Sequence, residues 1–247
     1  MIQYITYTNK GDRPQNEDAC TCRCENTKGC FVLADGLGGH AMGQEASKLA
    51  VEQAIHEYGN GVEELETIVD RCQAKILEAQ QQANCVDQMK TTLVLLKIDN
   101  RHAQWIHVGD SRLYFFRKGK LVVRTSDHSV PQKLFEMGEI REEEIRHHEQ
   151  RNQLLRVLGT SWDKPRYEVS KKIRIKKRCR DAFLLCSDGF WEYITEEQME
   201  QQLKMAQSVQ EWLDCMLDII QNQEPNGNRD NFTAIAVWCT DKEKSKK

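Results

Sequence analysis

Three aspartates in this 247-residue chain close predicted apolar strands, and each lies beside or one residue from a glycine: Asp35, Asp110 and Asp188. Asp230 comes just before the last predicted strand, and Asp18 leads into the second. A carboxylate held at the end of a rigid strand suits a hard divalent cation, and glycine lets other groups approach the backbone closely. Taken singly, each Asp-Gly pair is equally typical of an ordinary turn.

These carboxylates can act together only if the strands bring them to one place. In stacked antiparallel sheets, strand ends and strand starts meet at a common edge, so we expect the five aspartates to converge. A cluster of carboxylates without histidine or cysteine selects magnesium or manganese over zinc. Two such ions can share a bridging water, lower its pKa and stabilise charge on a phosphoryl group.

Charged residues just upstream of the second predicted strand fit the same chemistry. The guanidinium of Arg13 matches a phosphate bidentately, and the adjacent Glu17 and Asp18 can hold metal ions or the waters on them. The alternative interpretation of this segment, taken alone, is a solvated charged turn.

The length and composition predict a globular protein with one large core or at most two small ones. Hydrophobic residues make up 39% of the chain and charged residues 30%. No apolar run is long enough to cross a membrane, and the N-terminus lacks the pattern of a signal peptide. A net charge of −3 argues against general nucleic-acid binding. We therefore expect a cytoplasmic protein without membrane or nucleic-acid partners.

The ten cysteines are predicted to be reduced and not catalytic. The chain contains no CxxC, and the alternating Cys20, Cys22 and Cys24, with Cys30 nearby, would be spaced too widely along a strand for tetrahedral zinc. A cysteine-nucleophile phosphatase would need a Cys-x5-Arg loop, and no cysteine here has arginine six positions later.

Hydrophobic periodicity predicts helices and strands that could position the carboxylates. Helices are expected over 43–58 and 62–83, with two more opened by capping boxes at Thr195 and Ser208. The predicted strands cover 2–8, 19–24, 31–34, 91–99, 104–107, 113–117, 120–125, 182–186 and 232–239.

Two segments stand apart from this pattern. Residues 126–156 are polar and loop-rich, and we interpret them as an insertion that covers one end of the sheets. Within it, His147-His148 is interpreted as solvated surface rather than a metal site, because adjacent helical residues point apart. Residues 171–180 hold seven basic side chains and predict a charged edge strand, with a docking site for acidic substrates as the alternative.

Seven motifs, in this order, resemble those of the metal-dependent serine/threonine protein phosphatases of the 2C class, the PPM family. They span residues 13–231. The motifs are Arg13-x-x-Asn16-Glu17-Asp18, Asp35-Gly36-x-Gly38-Gly39, Thr91-Thr92, Val108-Gly109-Asp110-Ser111-Arg112, Asp127-His128-Ser129, Ser187-Asp188-Gly189 and Arg229-Asp230-Asn231.

The resemblance implies an α+β fold, a four-layer α-β-β-α sandwich of two antiparallel β-sheets flanked by helices. It also implies a role for each site residue. Asp35 would bridge two Mg²⁺ or Mn²⁺ ions, with the Gly36 carbonyl as a further ligand. Asp188 and Asp230 would complete the other ion's shell, and Asp110 with Asp188 would form a third site as in bacterial members. Glu17 and Asp18 would hold metal-bound waters, and Arg13 would bind phosphate.

The chain departs from the family pattern at two positions. Leu37 stands where many eukaryotic members have a histidine proposed to protonate the leaving oxygen, and an apolar residue there indicates a bacterial type. We expect a metal-bound water to be the proton donor and His40 to be structural. Lys90 replaces the usual glycine before the Thr pair, which affects strand packing rather than a ligand.

Together these features predict a single phosphatase domain over residues 1–241, with a flap-like insertion at 126–156 and a disordered tail at 242–247. The predicted reaction is hydrolysis of phosphoserine and phosphothreonine in proteins by a metal-bridging hydroxide. The expected partners are phosphorylated substrates of a serine/threonine kinase, and the expected state is a monomer. The alternatives are a silent phosphoprotein-binding pseudophosphatase and a small-molecule phosphatase.

Overall fold

The structure is a computed structural model that describes residues 1–37, 41–223 and 229–240. Some residues named in the sequence analysis lie outside the described residues: Gly38 and Gly39 of the Asp35 motif, His40 and the predicted tail at 242–247. Twelve strands are present in the described part: β1 Ile2–Asn9, β2 Asp18–Glu25, β3 Lys28–Leu37, β4 Lys90–Thr91, β5 Leu93–Asp99, β6 His102–Val108, β7 Arg112–Arg117, β8 Lys120–Arg124, β9 Glu168–Val169, β10 Ile173–Arg174, β11 Asp181–Cys186 and β12 Phe232–Cys239.

The helices of the described residues follow the predicted amphipathic segments and add short ones. They are α1 Ala41–Gly59, α2 Leu65–Gln82, α3 Val130–Glu136, α4 Glu142–Ile145, α5 Asp188–Trp191, α6 Glu196–Met205 and α7 Val209–Asn222. A reciprocal capping box opens α6 at Thr195, as predicted. Ser208 caps α7 by accepting from the Glu211 N–H, but the Glu211 carboxylate accepts from the Gln207 N–H instead.

The strands form two antiparallel sheets, which confirms the predicted fold class. One has the order β1-β12-β11-β7-β8, and the other has the order β10-β6-β5-β3-β2, with β4 paired to β3 and β9 to β6. The inner faces of both sheets share a core that contains Phe31, Leu33, Phe183 and Ile235. Alternate residues of these strands point outward into two further cores, as the period of two requires.

Helices cover both outer faces and complete the four-layer sandwich. α1 and α2 pack on the β3–β5–β6 side through Ala50, Ile68 and Ile76. α5, α6 and α7 pack on the β11–β12 side, where Trp212 lies edge-on to Phe116 with ring centroids 5.5 Å apart. The sandwich leaves strand ends, rather than sheet faces, exposed to ligands.

Several predicted boundaries were wrong for local reasons. The strand predicted over 91–99 is interrupted at Thr92. There the Asp35 N–H of β3 donates to the Thr92 hydroxyl and not to a backbone carbonyl. The helix predicted from residue 62 begins at Leu65. The strands β9 and β10 have only two residues each, which is too short for a periodic signal, and β9 was not predicted.

Two other predictions agree with the structure. The basic segment 171–180 forms the edge strand β10 followed by a 3₁₀ turn at Lys177–Cys179. All ten cysteines lie in the described residues, and none of them forms a disulfide. Among the described residues, none of the helices has the length and hydropathy needed to cross a membrane.

Candidate active site

Asp18 and Asp35 lie directly opposite each other in the β2–β3 ladder. Asp18 is the first residue of β2, and Asp35 lies two residues before the end of β3, so the antiparallel register brings a strand start and a strand end together. The Asp35 N–H donates to Thr92 Oγ1 (2.9 Å), and its carbonyl accepts from Thr91 Oγ1 (2.8 Å). The Thr pair therefore fixes the backbone of Asp35 and leaves its carboxylate for other partners.

Asp110 and Asp188 come from the ends of β6 and β11. Asp110 is 5% exposed, and its carbonyl accepts a hydrogen bond from Trp191 Nε1 (3.0 Å). Asp188 begins the short helix α5, which contains Trp191, and its Oδ1 accepts from the Gly189 N–H (2.6 Å). The indole of Trp191 thus connects the two strand ends that carry these aspartates.

Asp230 lies just before β12 and is held by Arg13 in a two-pronged ion pair. Arg13 Nε donates to Asp230 Oδ1 (2.9 Å) and Nη2 donates to Oδ2 (2.7 Å). The Arg13 side chain is 43% exposed, so the guanidinium lies at the rim of the site. Sequence reasoning predicted both residues for this site but not their direct contact.

These side chains surround one cavity of about 650 Å³. It is lined by Arg13, Pro14, Gln15, Glu17, Asp35, Gly36, Leu37, Asp110, Asn152, Leu154, Asp188, Asp230 and Asn231. The structure therefore brings every predicted metal ligand, Glu17 and Arg13 to one cavity, with Asp18 paired to Asp35 behind it. Asn152 and Leu154 belong to the predicted flap, which accordingly forms one wall.

The electrostatics of the cavity favour cations. Burial, followed by the charges of Asp18 and Asp188, raises the pKa of Asp35 well above its ordinary value. Burial raises the pKa of Asp110 to about 7, and burial, followed by the charge of Asp110, raises the pKa of Asp188 well above its ordinary value. Carboxylates that repel one another in this way are strongly stabilised when divalent cations lie between them.

Asp18 adds a second observation in favour of bound cations. Burial raises its pKa to about 7 although Ser187 Oγ donates to its Oδ2 (2.7 Å). Its Oδ1 is buried and has no hydrogen-bond partner. An oxygen of this kind needs a donor such as a metal-bound water, which fits the predicted outer-sphere role of Asp18. The residues present therefore fit Mg²⁺ or Mn²⁺, which prefer oxygen ligands.

Gly36 is required by the packing of α1 against the end of β3. A Cβ atom at Gly36 would lie 2.2 Å from the carbonyl oxygen of Gly43 in α1 and 2.8 Å from that of Glu17. The Gly36 N–H donates to the Glu17 carbonyl (3.1 Å). The backbone therefore passes close to the cavity wall where a side chain has no room.

Asn231 has a structural role that sequence reasoning missed. Its Oδ1 accepts from the Glu17 N–H (2.7 Å), and its Nδ2 donates to the carbonyls of Lys10 (2.8 Å) and Gln15 (3.0 Å). One amide side chain thus ties the loop that carries Arg13 and Glu17 to the start of β12. The motif Arg229-Asp230-Asn231 contained this residue, but its role depends on contacts over more than 200 residues.

His128 holds the turn that leads into Asp110. Its backbone N–H donates to the Gly109 carbonyl (2.9 Å), and its Nδ1 accepts from the Gly109 N–H (3.1 Å). Gly109 has a φ of +101°, and a Cβ there would lie 2.6 Å from Thr92 Cγ2. The imidazole therefore clamps a turn that only glycine can form in this space.

A second group of possible metal ligands lies behind this turn, where the ligand atoms of His107, His128 and Glu168 fall within 4.8 Å of one another. In the described part of the chain it is the one group of at least three such residues whose ligand atoms lie this close together. Because His128 Nδ1 accepts the Gly109 N–H, its Nε2 carries the proton and faces Glu168 Oε1 at 3.2 Å. This tautomer has no lone pair for a cation at Nε2.

His128 gives a pH-dependent prediction for stability. Burial, and then the charge of His107 stacked 4.7 Å away, lowers the pKa of His128 to about 4. In the unfolded chain a histidine has a pKa of about 6.5 and binds the proton more tightly. The stability that depends on a neutral, buried His128 is therefore complete above pH 6.5 and is lost as the pH falls towards 4. As the pH falls from 6.5 to 5, the unfolding free energy of wild type should decrease by about 1.5 kcal/mol relative to that of His128→Asn.

Urea unfolding of both proteins across that range measures the difference. The comparison with His128→Asn is needed because aspartates with raised pKa values change wild-type stability in the opposite direction. Asparagine keeps an acceptor for the Gly109 N–H without a titratable ring. A difference in unfolding free energy that is independent of pH would contradict a buried, neutral His128.

Comparison with known proteins identifies the family. The Protein phosphatase 2C family model matches residues 9–227. The serine/threonine protein phosphatase PstP of Mycobacterium tuberculosis is 28% identical over 98% of this chain, and this chain covers 46% of its length. The serine/threonine phosphatase stp of Listeria welshimeri is 32% identical over 83% of this chain and 82% of that protein.

The crystal structure of the M. tuberculosis phosphatase PstP/Ppp has the same fold. It superposes with a TM-score of 0.82 at 26% identity and covers 97% of this chain and 99% of that one. This chain spans about half the length of the full PstP sequence. The residues that the family model matches include Asp18, Asp35, Asp110 and Asp188, and the chain belongs to the protein phosphatase 2C family.

Proposed function

We propose that this chain is a metal-dependent phosphatase that hydrolyses phosphoserine and phosphothreonine in proteins. The observation that carries the proposal is the convergence of Asp35, Asp110, Asp188 and Asp230 on one cavity with Arg13 at its rim. The names of the PstP and stp relatives support the same activity and substrate class.

Each residue has a distinct role under this proposal. Asp35, with the Gly36 carbonyl, would hold two Mg²⁺ or Mn²⁺ ions, Asp188 and Asp230 would hold one of them, and Asp110 would hold a third. When bound, these ions activate water and neutralise charge on the phosphoryl group. Glu17 and Asp18 would orient the ions' waters through hydrogen bonds.

Arg13 positions the phosphate from the rim of the cavity. Its Nε and Nη2 bind Asp230, and this ion pair orients the planar guanidinium toward the site. The same carboxylate raises the pKa of Arg13, so the group stays fully charged for binding a phosphate dianion. Leu37 lines the cavity and has no proton to transfer, so this position cannot supply a general acid.

We further infer that the partners are proteins phosphorylated by a serine/threonine kinase and that the chain acts as a cytoplasmic monomer. The relatives' names support phosphoprotein substrates. Residues 1–241 would form one catalytic domain, in which residues 126–156 act as a flap. Asn152 and Leu154 in the cavity wall support that role.

Hydrolysis of a phosphothreonine peptide in a metal series tests the proposal. We expect turnover with Mn²⁺ or Mg²⁺, loss of turnover in excess chelator and recovery when the metal is restored. Asp188→Ala should abolish it, whereas a sugar phosphate should react far more slowly than the peptide. Full activity in chelator would overturn the metal-dependent mechanism, and peptide binding without turnover under any metal would indicate a pseudophosphatase.

A further inference from the structure

Positive charge is concentrated in one short segment of an otherwise acidic chain. Residues 171–180 contain seven lysines and arginines and no acidic residue. The whole chain carries −3, so the other 237 residues carry −10. Such a separation of charge creates a local field that attracts anionic partners.

The charges of this segment are exposed, and acidic side chains do not neutralise them. Lys171, Lys172, Arg174, Lys176 and Arg178 are all exposed, and within the described residues none of them forms an ion pair. The nearest carboxylate in sequence, Asp181, is fully buried and binds Arg117 in a two-pronged ion pair. The positive charge therefore faces solvent.

Neighbouring turns extend the positive surface. The Ile175 N–H donates to the Arg101 carbonyl (2.7 Å), and the Lys118 N–H donates to the Cys179 carbonyl (3.0 Å). Arg101 in the β5–β6 turn and Lys118 in the β7–β8 turn are exposed as well. We call this surface, formed by residues 101, 118 and 171–180, the basic end.

The basic end lies at the opposite end of the sandwich from the aspartates. β6 starts at His102 and runs toward Asp110, and β11 starts at Asp181 and runs toward Asp188. The seven steps from Asp181 to Asp188 span about 23 Å at the strand rise of about 3.3 Å per residue. One bound segment of four or five residues therefore cannot touch both surfaces.

We propose that the basic end is a docking surface for an acidic, extended segment of the phosphoprotein substrate, separate from the residue being dephosphorylated. The proposal rests on the proposed function. No large exposed apolar side chain of the described residues lies within 171–180, so the surface lacks an anchor for a lipid bilayer. The segment also lacks aromatic residues on which bases could stack.

Spacer length distinguishes docking from general electrostatic attraction. Phosphothreonine peptides would carry an acidic tract at the end of a neutral spacer of either about 4 or about 20 residues. The short spacer reaches at most about 14 Å, whereas the long one can pass around the sandwich. With the long spacer, we expect KM to fall about tenfold relative to a peptide without the tract, and kcat to stay unchanged. The short spacer should give no such gain.

A variant that removes three positive charges from the basic end tests the surface itself. Lys172→Gln, Lys176→Gln and Arg178→Gln together should remove the gain of the long-spacer peptide and leave hydrolysis of the short peptide unchanged. The matched control, Lys48→Gln with Lys75→Gln and Lys164→Gln, removes three exposed lysines elsewhere and should keep the gain. Fluorescence anisotropy with a labelled Glu-rich peptide gives a binding readout that does not depend on catalysis.

The outcomes separate this proposal from the proposed function. An equal gain for both spacers, a gain that survives the triple substitution, or a gain that the control variant also loses would overturn docking while leaving the phosphatase intact. Binding of anionic vesicles or RNA to the basic end, without binding of the acidic peptide, would also overturn it. Absence of hydrolysis for every peptide, with acidic-peptide binding retained, would instead contradict the proposed function.

Discussion

Replacing Asp35 with asparagine is expected to lower phosphatase turnover about a thousandfold or more, equivalent to about 4 kcal/mol of transition-state stabilisation. Under the proposed function, the Asp35 carboxylate would hold two cations, and an amide of the same shape has no charge to hold them. The Asp35 N–H donates to the Thr92 hydroxyl and the Asp35 carbonyl accepts from the Thr91 hydroxyl, and neither bond uses the carboxylate that the substitution changes. The loss should therefore come from the missing charge and not from a displaced strand.

The same substitution should stabilise the metal-free protein. Asp35 is buried near Asp18, Asp188, Asp110 and Asp230, so replacing its carboxylate removes a desolvated charge and relieves repulsion among the aspartates. Wild type should gain about 2.7 kcal/mol from metal at a concentration 100 times Kd, and the variant should gain much less. Urea unfolding in chelator and in Mn²⁺ measures both effects, alongside hydrolysis of an aryl phosphate.

An exposed aspartate provides the matched control for this experiment. Asp218 is exposed on α7 and does not line the cavity. Asp218→Asn makes the same chemical change and should alter neither turnover nor the metal-induced gain in stability. If Asp35→Asn kept wild-type turnover, or gained as much stability from Mn²⁺ as wild type, Asp35 would not be a metal ligand.

The parts of the site that lie at strand ends could be predicted from the sequence. An apolar run ending in aspartate marks the point where a buried strand reaches the surface, as at Asp35 and Asp188. Antiparallel pairing then requires the start of one strand to meet the end of another, which places Asp18 opposite Asp35. Local periodicity therefore predicted the strand ends that carry most of the carboxylate cluster, whereas the four-layer fold class was implied by the resemblance to the PPM family.

The contacts that hold these carboxylates could not be predicted in the same way. Asn231 reaches Lys10 and Gln15, and Arg13 binds Asp230, across more than 200 residues. A polar side chain gives no periodic signal that distinguishes a buried partner from a solvated one. The same reason applies to Thr92, whose hydroxyl accepts from Asp35 and interrupts the predicted strand.

Arg112 and Asp127 are the strongest example of such hidden burial. Both belong to motifs noted in the sequence, yet each side chain is only 1% exposed. Arg112 Nε and Nη2 donate to the two Asp127 oxygens at 2.8 and 2.7 Å, and Nη1 donates to the Tyr114 hydroxyl (3.1 Å). The guanidinium also stacks on Trp191, with Cζ 3.5 Å from the ring centroid. This pair lies under the indole that binds the Asp110 carbonyl.

Asp127→Ala is expected to destabilise the protein by about 3–5 kcal/mol, because it leaves a buried guanidinium without its counterion. Glu196 Oε1 forms a longer ion pair with Arg112 Nη1 at 3.8 Å, beyond hydrogen-bond distance, so it replaces the lost carboxylate only in part. Glu78→Ala, which removes an exposed partner of Lys75, should change stability by less than about 1 kcal/mol. Urea unfolding of both variants, in chelator, gives the comparison.

Removing the charges of both Arg112 and Asp127 should restore most of the stability that Asp127→Ala loses. Arg112→Met with Asp127→Leu replaces the pair by apolar side chains, and such replacements of buried pairs range from neutral to stabilising by about 1–4 kcal/mol. The double variant should therefore be more stable than Asp127→Ala alone, with a coupling energy that distant sites would not show. If Asp127→Ala cost no more than Glu78→Ala, the pair would be solvated in solution. If the double variant were as unstable as Asp127→Ala, the loss would come from packing around Trp191 rather than from an unpaired charge.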